Sequence, residues 1–107
     1  MRWRIHNEGG KALQVKTAVQ PHARFHTPEA AIGRAIDAHR DLEISLPVRF
    51  VEAPGAVVEN PFLILVIADG AADWRVLVRV RVTAGARGEP SANETLAMSV
   101  NRVGATD

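Results

Sequence analysis

Three of the four histidines, His22, His26 and His39, are of the type that binds zinc through a ring nitrogen, and the first two stand four residues apart. That spacing suits two ligands only on a helix, and Pro21 argues against one there. Solvated loop histidines at 22 and 26, with a half-buried His39, are the simpler reading. Asp69 and Asp73 bracket Gly70 and read as turn chemistry, although an aspartate beside a histidine could act as a general acid–base pair. Ser99, in "AMSVN", lacks the glycine flanks of a nucleophile elbow. The glycines of "AGARGEP" precede no helix, so they form no phosphate cradle. No catalytic, cofactor-binding or metal-ligating residue is assigned, and the reading is non-enzymatic.

Arginine offers a different chemistry. Arg75, Arg79 and Arg81, joined by Arg2 and Arg4 if these share the sheet, could track a phosphate backbone, with Trp3, Trp74 or Phe25 stacking on bases. Against this, the net charge is only +1, Trp74 alternates with valines, and Asp37, Asp41, Glu43, Glu52 and Glu59 would repel a polyanion. A GC-rich bacterial genome also produces arginine by codon usage alone. Nucleic-acid binding through the arginine-bearing strands is the second reading.

These side chains must be positioned by a single domain of 107 residues, long enough for a core without staples. Hydrophobic residues make up 47% and cysteine is absent, which excludes disulfides, thiolate catalysis and cysteine-based metal sites. "MRWRIHNEGG" contains no signal-peptide run, and the longest apolar run, Phe62 to Ala68, falls far short of the ~20 residues of a membrane helix. A cytoplasmic, non-membrane protein is expected.

"MRWRIH" alternates with Met1, Trp3 and Ile5 on one side, and "KALQVKTAV" with Leu13, Val15, Thr17 and Val19. With "NEGG" between them, they read as a β-hairpin. "TPEAAIGRAIDAHRDL" reads as a helix, capped by Thr27 with Pro28 in its first turn. Ala31, Ile32, Ala35, Ile36 and His39 form its inward face. "EISLPVRFVEA" reads as a strand, at an edge because of Pro47. Two strands follow across "DGAAD", then a mobile loop at 84–94, a last strand "TLAMSVNRV" and a frayed tail at 104–107. The order β-β-α-β-β-β-β gives an α+β fold: a mostly antiparallel sheet of five to six strands with one helix on one face.

"NPFLILVIADGAADWRVLVRVRV" poses the functional question. Phe62 to Ala68 is apolar on both faces, while the following strand has one apolar and one arginine-bearing face. A five-residue loop opposes Ile64 to Val78 and seats the helix over Phe62, Ile64, Val66 and Ala68. Leu63, Leu65 and Ile67 then share the other face with Arg75, Leu77, Arg79 and Arg81. An even-length loop exchanges the two sides. One helix covers one face, so the second needs another cover. The candidates are the loops "VQPHARFH" and "VTAGARGEP", a second copy giving a homodimer, or a partner or ligand of acidic, amphipathic character. The leading function is an interaction module that self-associates or docks a protein through this face. A third reading is a small-molecule-binding protein or enzyme with a pocket between helix and sheet.

Overall fold

A computed structural model describes residues 1–103, with the side chains of Asn93, Glu94 and Leu96 left aside. The expected tail at 104–107 lies outside the described residues. The chain is all-β: β1 (Arg2–His6), β2 (Leu13–His22), β3 (Phe25–Ile36), β4 (Asp41–Ser45), β5 (Val57–Ala68), β6 (Asp73–Ala84) and β7 (Pro90–Arg102). Five strands form a curled antiparallel sheet, a half-barrel, in the order β3-β2-β5-β6-β7, and β1 pairs with β4 in a separate two-stranded sheet. The α+β expectation is therefore wrong.

The segment expected to be a helix is β3, and three features explain the difference. Ile32 and Ile36 are four apart, an even number, so they share a side in a strand as well as in a helix. Both do face the core, while Ala31, Ala35 and His39, the rest of the expected helical face, are exposed. Gly33 sits at φ 61°, and the pair Ile32–Gly33 stands opposite the single residue Lys16 in a bulge. Thr27 is no cap. It is 1% exposed, and its hydroxyl accepts a hydrogen bond from Gln20 Nε2 (2.6 Å) while donating to Pro47 O (2.5 Å). Pro28 is tolerated because β3 is an edge strand.

The expected β1–β2 hairpin is also absent, because the two strands belong to different sheets. The turn between them is anchored elsewhere by Asn7, which is 2% exposed. Its Nδ2 donates to Lys11 O (2.8 Å), Ile36 O (3.0 Å) and Asp37 O (3.3 Å), and its Oδ1 accepts from Gly9 N (2.9 Å). β4 is shorter and earlier than the strand expected from Glu43 on, ending at Ser45 before Pro47. β6 and β7 are joined by residues 85–89 alone, so the last strand begins at Pro90 rather than after a loop reaching 94.

The small sheet takes the place of the helix. Leu42, Ile44 and Leu46 pack with Val15, Ala18, Ile36, Leu63, Leu65 and Ile67 into one cluster. A second cluster joins Phe25, Val58, Val80 and Val82, with the Phe25 and Phe50 rings edge to face at 6.1 Å. A buried relay ties the two sheets together: Trp3 Nε1 on β1 donates to Gln20 Oε1 on β2 (3.0 Å), and Gln20 passes on to Thr27.

The β5–β6 hairpin is present, but its connection is the four residues 69–72, because Ala68 pairs with Asp73. Asp69 builds this turn. Its Oδ1 accepts from Ala71 N and Ala72 N, both 2.9 Å, and its Oδ2 from Trp74 Nε1 at 2.9 Å. These donors lower its carboxyl from 3.8 to about 2. A depressed acid contributes stability that is complete above its unfolded value and is lost as pH falls through the folded one. Asp69→Asn should therefore melt below the parent at neutral pH. The gap between the two melting temperatures should close as pH falls from 3.8 to about 2, as followed by circular dichroism.

Candidate functional site

The even connection decides which residues share a face. Leu63 pairs with Val78, Leu65 with Val76 and Ile67 with Trp74. These three leucine and isoleucine side chains, 2%, 3% and 8% exposed, form the inner face under the small sheet. Arg75, Leu77 and Arg79 pair instead with Val66, Ile64 and Phe62. The residues taken together as a candidate interface are thus split between opposite faces. On the outer face Leu63, Leu65 and Ile67 are replaced by Phe62, Ile64 and Val66. A second bulge ends this stretch of the register: Asn60, at φ 63°, and buried Pro61 stand opposite the single residue Val80.

The outer face carries an apolar ladder across three strands. Val19 on β2 pairs with Ile64 on β5, which pairs with Leu77 on β6. Phe62 and Val66 flank Ile64, and all five side chains are half-buried. Each is worth roughly 1.5–3 kcal/mol when fully removed from water. The two loops considered as covers are engaged elsewhere. "VQPHARFH" is the β2–β3 hairpin, bridged to Arg49 through His26. The turn after β6 lies against residues 53–56, with Gly55 N donating to Ala84 O (2.8 Å).

Charge frames the ladder. Arg75 and Arg79 are exposed on either side of Leu77 and make no ion pair among the described residues. Arg81 Nε is bound to Glu59 Oε1 at 2.9 Å, and at the other end Lys16 Nζ is bound to Asp73 Oδ2 at 2.8 Å. The aromatics considered for base stacking are not on this face. Trp74 is on the inner side opposite Ile67, Trp3 is tied to Gln20, and Phe25 is fully buried.

On the inner side, the small sheet leaves one end of the half-barrel uncovered. A cavity of about 370 Å³ opens there. Its floor is Leu13, Leu63, Leu65, Ile67, Val76 and Val78; its walls are Trp3 to His6 on β1 and Thr95, Met98 and Val100 on β7. Met98 is 67% and Val100 55% exposed, so this wall is wet. The described residues form no helix, so the pocket expected between helix and sheet is absent among them, and the cavity found lies between two strands instead. The signal for it lay in the apolar alternation of Met98 and Val100.

The histidines are not brought together. His22 ends β2, where its Nδ1 accepts from Arg24 N (3.0 Å), His26 is the second residue of β3, and His39 lies between β3 and β4 at φ 61°. Among the described residues no three His, Asp or Glu side chains are grouped to hold a metal ion. Nor is any helix among them long and apolar enough to cross a membrane. Fold and surface together define a small all-β domain with an apolar outer sheet face and an apolar channel at one open end. No known protein family, curated protein or solved structure matches the chain.

Proposed function

We propose that the protein is a non-catalytic interaction module that self-associates through the outer face of β2, β5 and β6. The observation that supports this most strongly is the ladder Val19–Ile64–Leu77, flanked by Phe62 and Val66, which no other element among the described residues covers. The arginines are compatible with a second copy in one geometry. A two-fold axis running along β5 lays β6 of one copy over β2 of the other, so Leu77 meets Val19, Arg75 meets Thr17, and the arginines do not meet each other. Their lack of an ion pair favours one further reading of the same face, a partner protein that brings carboxylates to it.

Leu77→Glu tests the proposal. The new carboxylate lies between Arg75 and Arg79 on a solvent-facing row, so the fold survives. The parent is expected to scatter light as a dimer at micromolar concentration, and Leu77→Glu as a folded monomer. A parent that stays monomeric at every concentration removes self-association. The acidic-partner reading then stands or falls on salt-sensitive binding of an acidic, apolar peptide that Leu77→Glu abolishes.

A further inference from the structure

The channel at the open end is bounded by two strand edges, and the hydrogen-bond phase of each can be worked out. Met1 and Leu46 exchange both backbone bonds, and Asn7 N donates to Arg40 O (2.9 Å). Bonded pairs alternate along an antiparallel ladder. Met1, Trp3, Ile5 and Asn7 therefore bond toward β4, and the N–H and C=O groups of Arg2, Arg4 and His6 point out from the free edge of β1. On the other wall, Val103 N donates to Asp73 O (2.8 Å). By the same alternation, Met98, Val100 and Arg102 present their backbone groups away from β6. β1 pairs only with β4 and β7 only with β6 among the described residues, so both edges are unpaired.

We propose that the apolar channel between β1 and β7 takes an extended strand of a partner protein whose apolar side chains alternate with carboxylates. The backbone of such a strand satisfies the edge groups of Arg2, Arg4 and His6. Its apolar side chains enter the cavity over Leu65 and Val76 and against Met98 and Val100. A compact amphipathic ligand would fill the same space and leave the edges unpaired, which favours a strand.

Charge specifies the other side of the strand. Among the described residues no carboxylate lines the cavity. Arg2, Arg4 and Arg102 make no ion pair among the described residues; of the two β4 acids opposite β1, Asp41 is held by His6 Nδ1 at 2.5 Å, and Glu43 stands across from Arg4 without an ion pair to it. A strand added to β1 places its solvent-facing residues directly across from Arg2 and Arg4, within reach of pairing. β1 already accepts this pattern on its other edge: in β4, Leu42 and Ile44 stand opposite Ile5 and Trp3, while Asp41 and Glu43 stand opposite His6 and Arg4.

The test uses the whole chain and a blocked octapeptide in which Asp and Glu alternate with Leu and Ile. Amide exchange at Arg2, Arg4 and His6, followed by NMR, should slow about tenfold or more when the peptide is added. Val100→Glu, at a 55% exposed position that leaves the fold intact, should weaken the peptide about tenfold or more. Leu77→Glu, on the outer face, should not change its affinity, which separates this site from the self-association surface. Equal protection by a peptide of the same composition with its acidic and apolar halves segregated, or by laurate, overturns the proposal in favour of a site that reads only amphipathic character. Unchanged exchange at all three amides overturns it outright.

Discussion

Leu65→Glu is expected to unfold the domain, whereas Ile64→Glu, one residue away, leaves it folded. Leu65 is 3% exposed and lies in the cluster between the two sheets, opposite Val76. A carboxylate there has no partner and no water. The cost is on the order of 4–5 kcal/mol or more, a large share of the roughly 5–15 kcal/mol that holds a domain together. Ile64 points to the other face, directly across from Leu77 and diagonal to Arg75 and Arg79, so a carboxylate there meets two guanidinium groups. Circular dichroism melts of the two variants decide the matter. Two variants that melt alike would contradict the register, and with it the assignment of faces.

The second large effect is at Asn7. Its amide group supplies the donors for three carbonyl oxygens, on Lys11, Ile36 and Asp37, while its oxygen takes Gly9 N. Asn7→Asp keeps the shape and removes the donors, turning a carboxylate oxygen toward buried carbonyls. Each lost buried partner costs about 1–3 kcal/mol, more where a charge is involved. The variant should therefore melt far below the parent at neutral pH. Lowering the pH protonates the new carboxyl and returns one donor, so the deficit relative to the parent should shrink in acid. A deficit that is constant with pH would mean that the amide hydrogens are not what the turn requires.

Part of the sheet was legible because alternation survives in β1 and β6, where an apolar side chain on every second residue reports the buried face directly. In β2 the bulge at Lys16 leaves Val15 on the inner face and turns Thr17 and Val19, expected on the same side, to the outer one, and β5 is apolar on both faces. The misread helix shows where that signal fails. Ile32 and Ile36 satisfy both periods, and Thr27-Pro28 imitates a capped helix start. The decisive facts are tertiary: a β2 strand that leaves its edge open, and Gln20 and Pro47 waiting for the Thr27 hydroxyl. Gly33 was the local warning, since a glycine costs a helix interior about 1 kcal/mol yet is well suited to a bulge at positive φ.

The hairpin at 69–72 was legible in kind and not in length. Asp69 and Gly70 mark a turn, but whether four or five residues close it depends on Asp69 reaching Ala71, Ala72 and Trp74 together. That one residue exchanges Leu63, Leu65 and Ile67 for Phe62, Ile64 and Val66 on the arginine-bearing face. The basic half of the candidate surface, Arg75, Leu77 and Arg79, needed no register to be placed together, because its own alternation does so. The pairing of β1 with β4 in place of β2 has no local signature; it follows from where Asn7 finds its acceptors.

The most direct test of the outer-face interface is an NMR dilution series on the parent protein, in which backbone amide shifts are followed from high to low concentration. The shifts expected to move with dilution belong to Val19, Phe62, Ile64, Val66 and Leu77 and their arginine neighbours, while those of Arg2, Arg4, Met98 and Val100 at the open end stay fixed. A spectrum that does not change on dilution, with monomer tumbling throughout, or changes confined to β1 and β7, would contradict it.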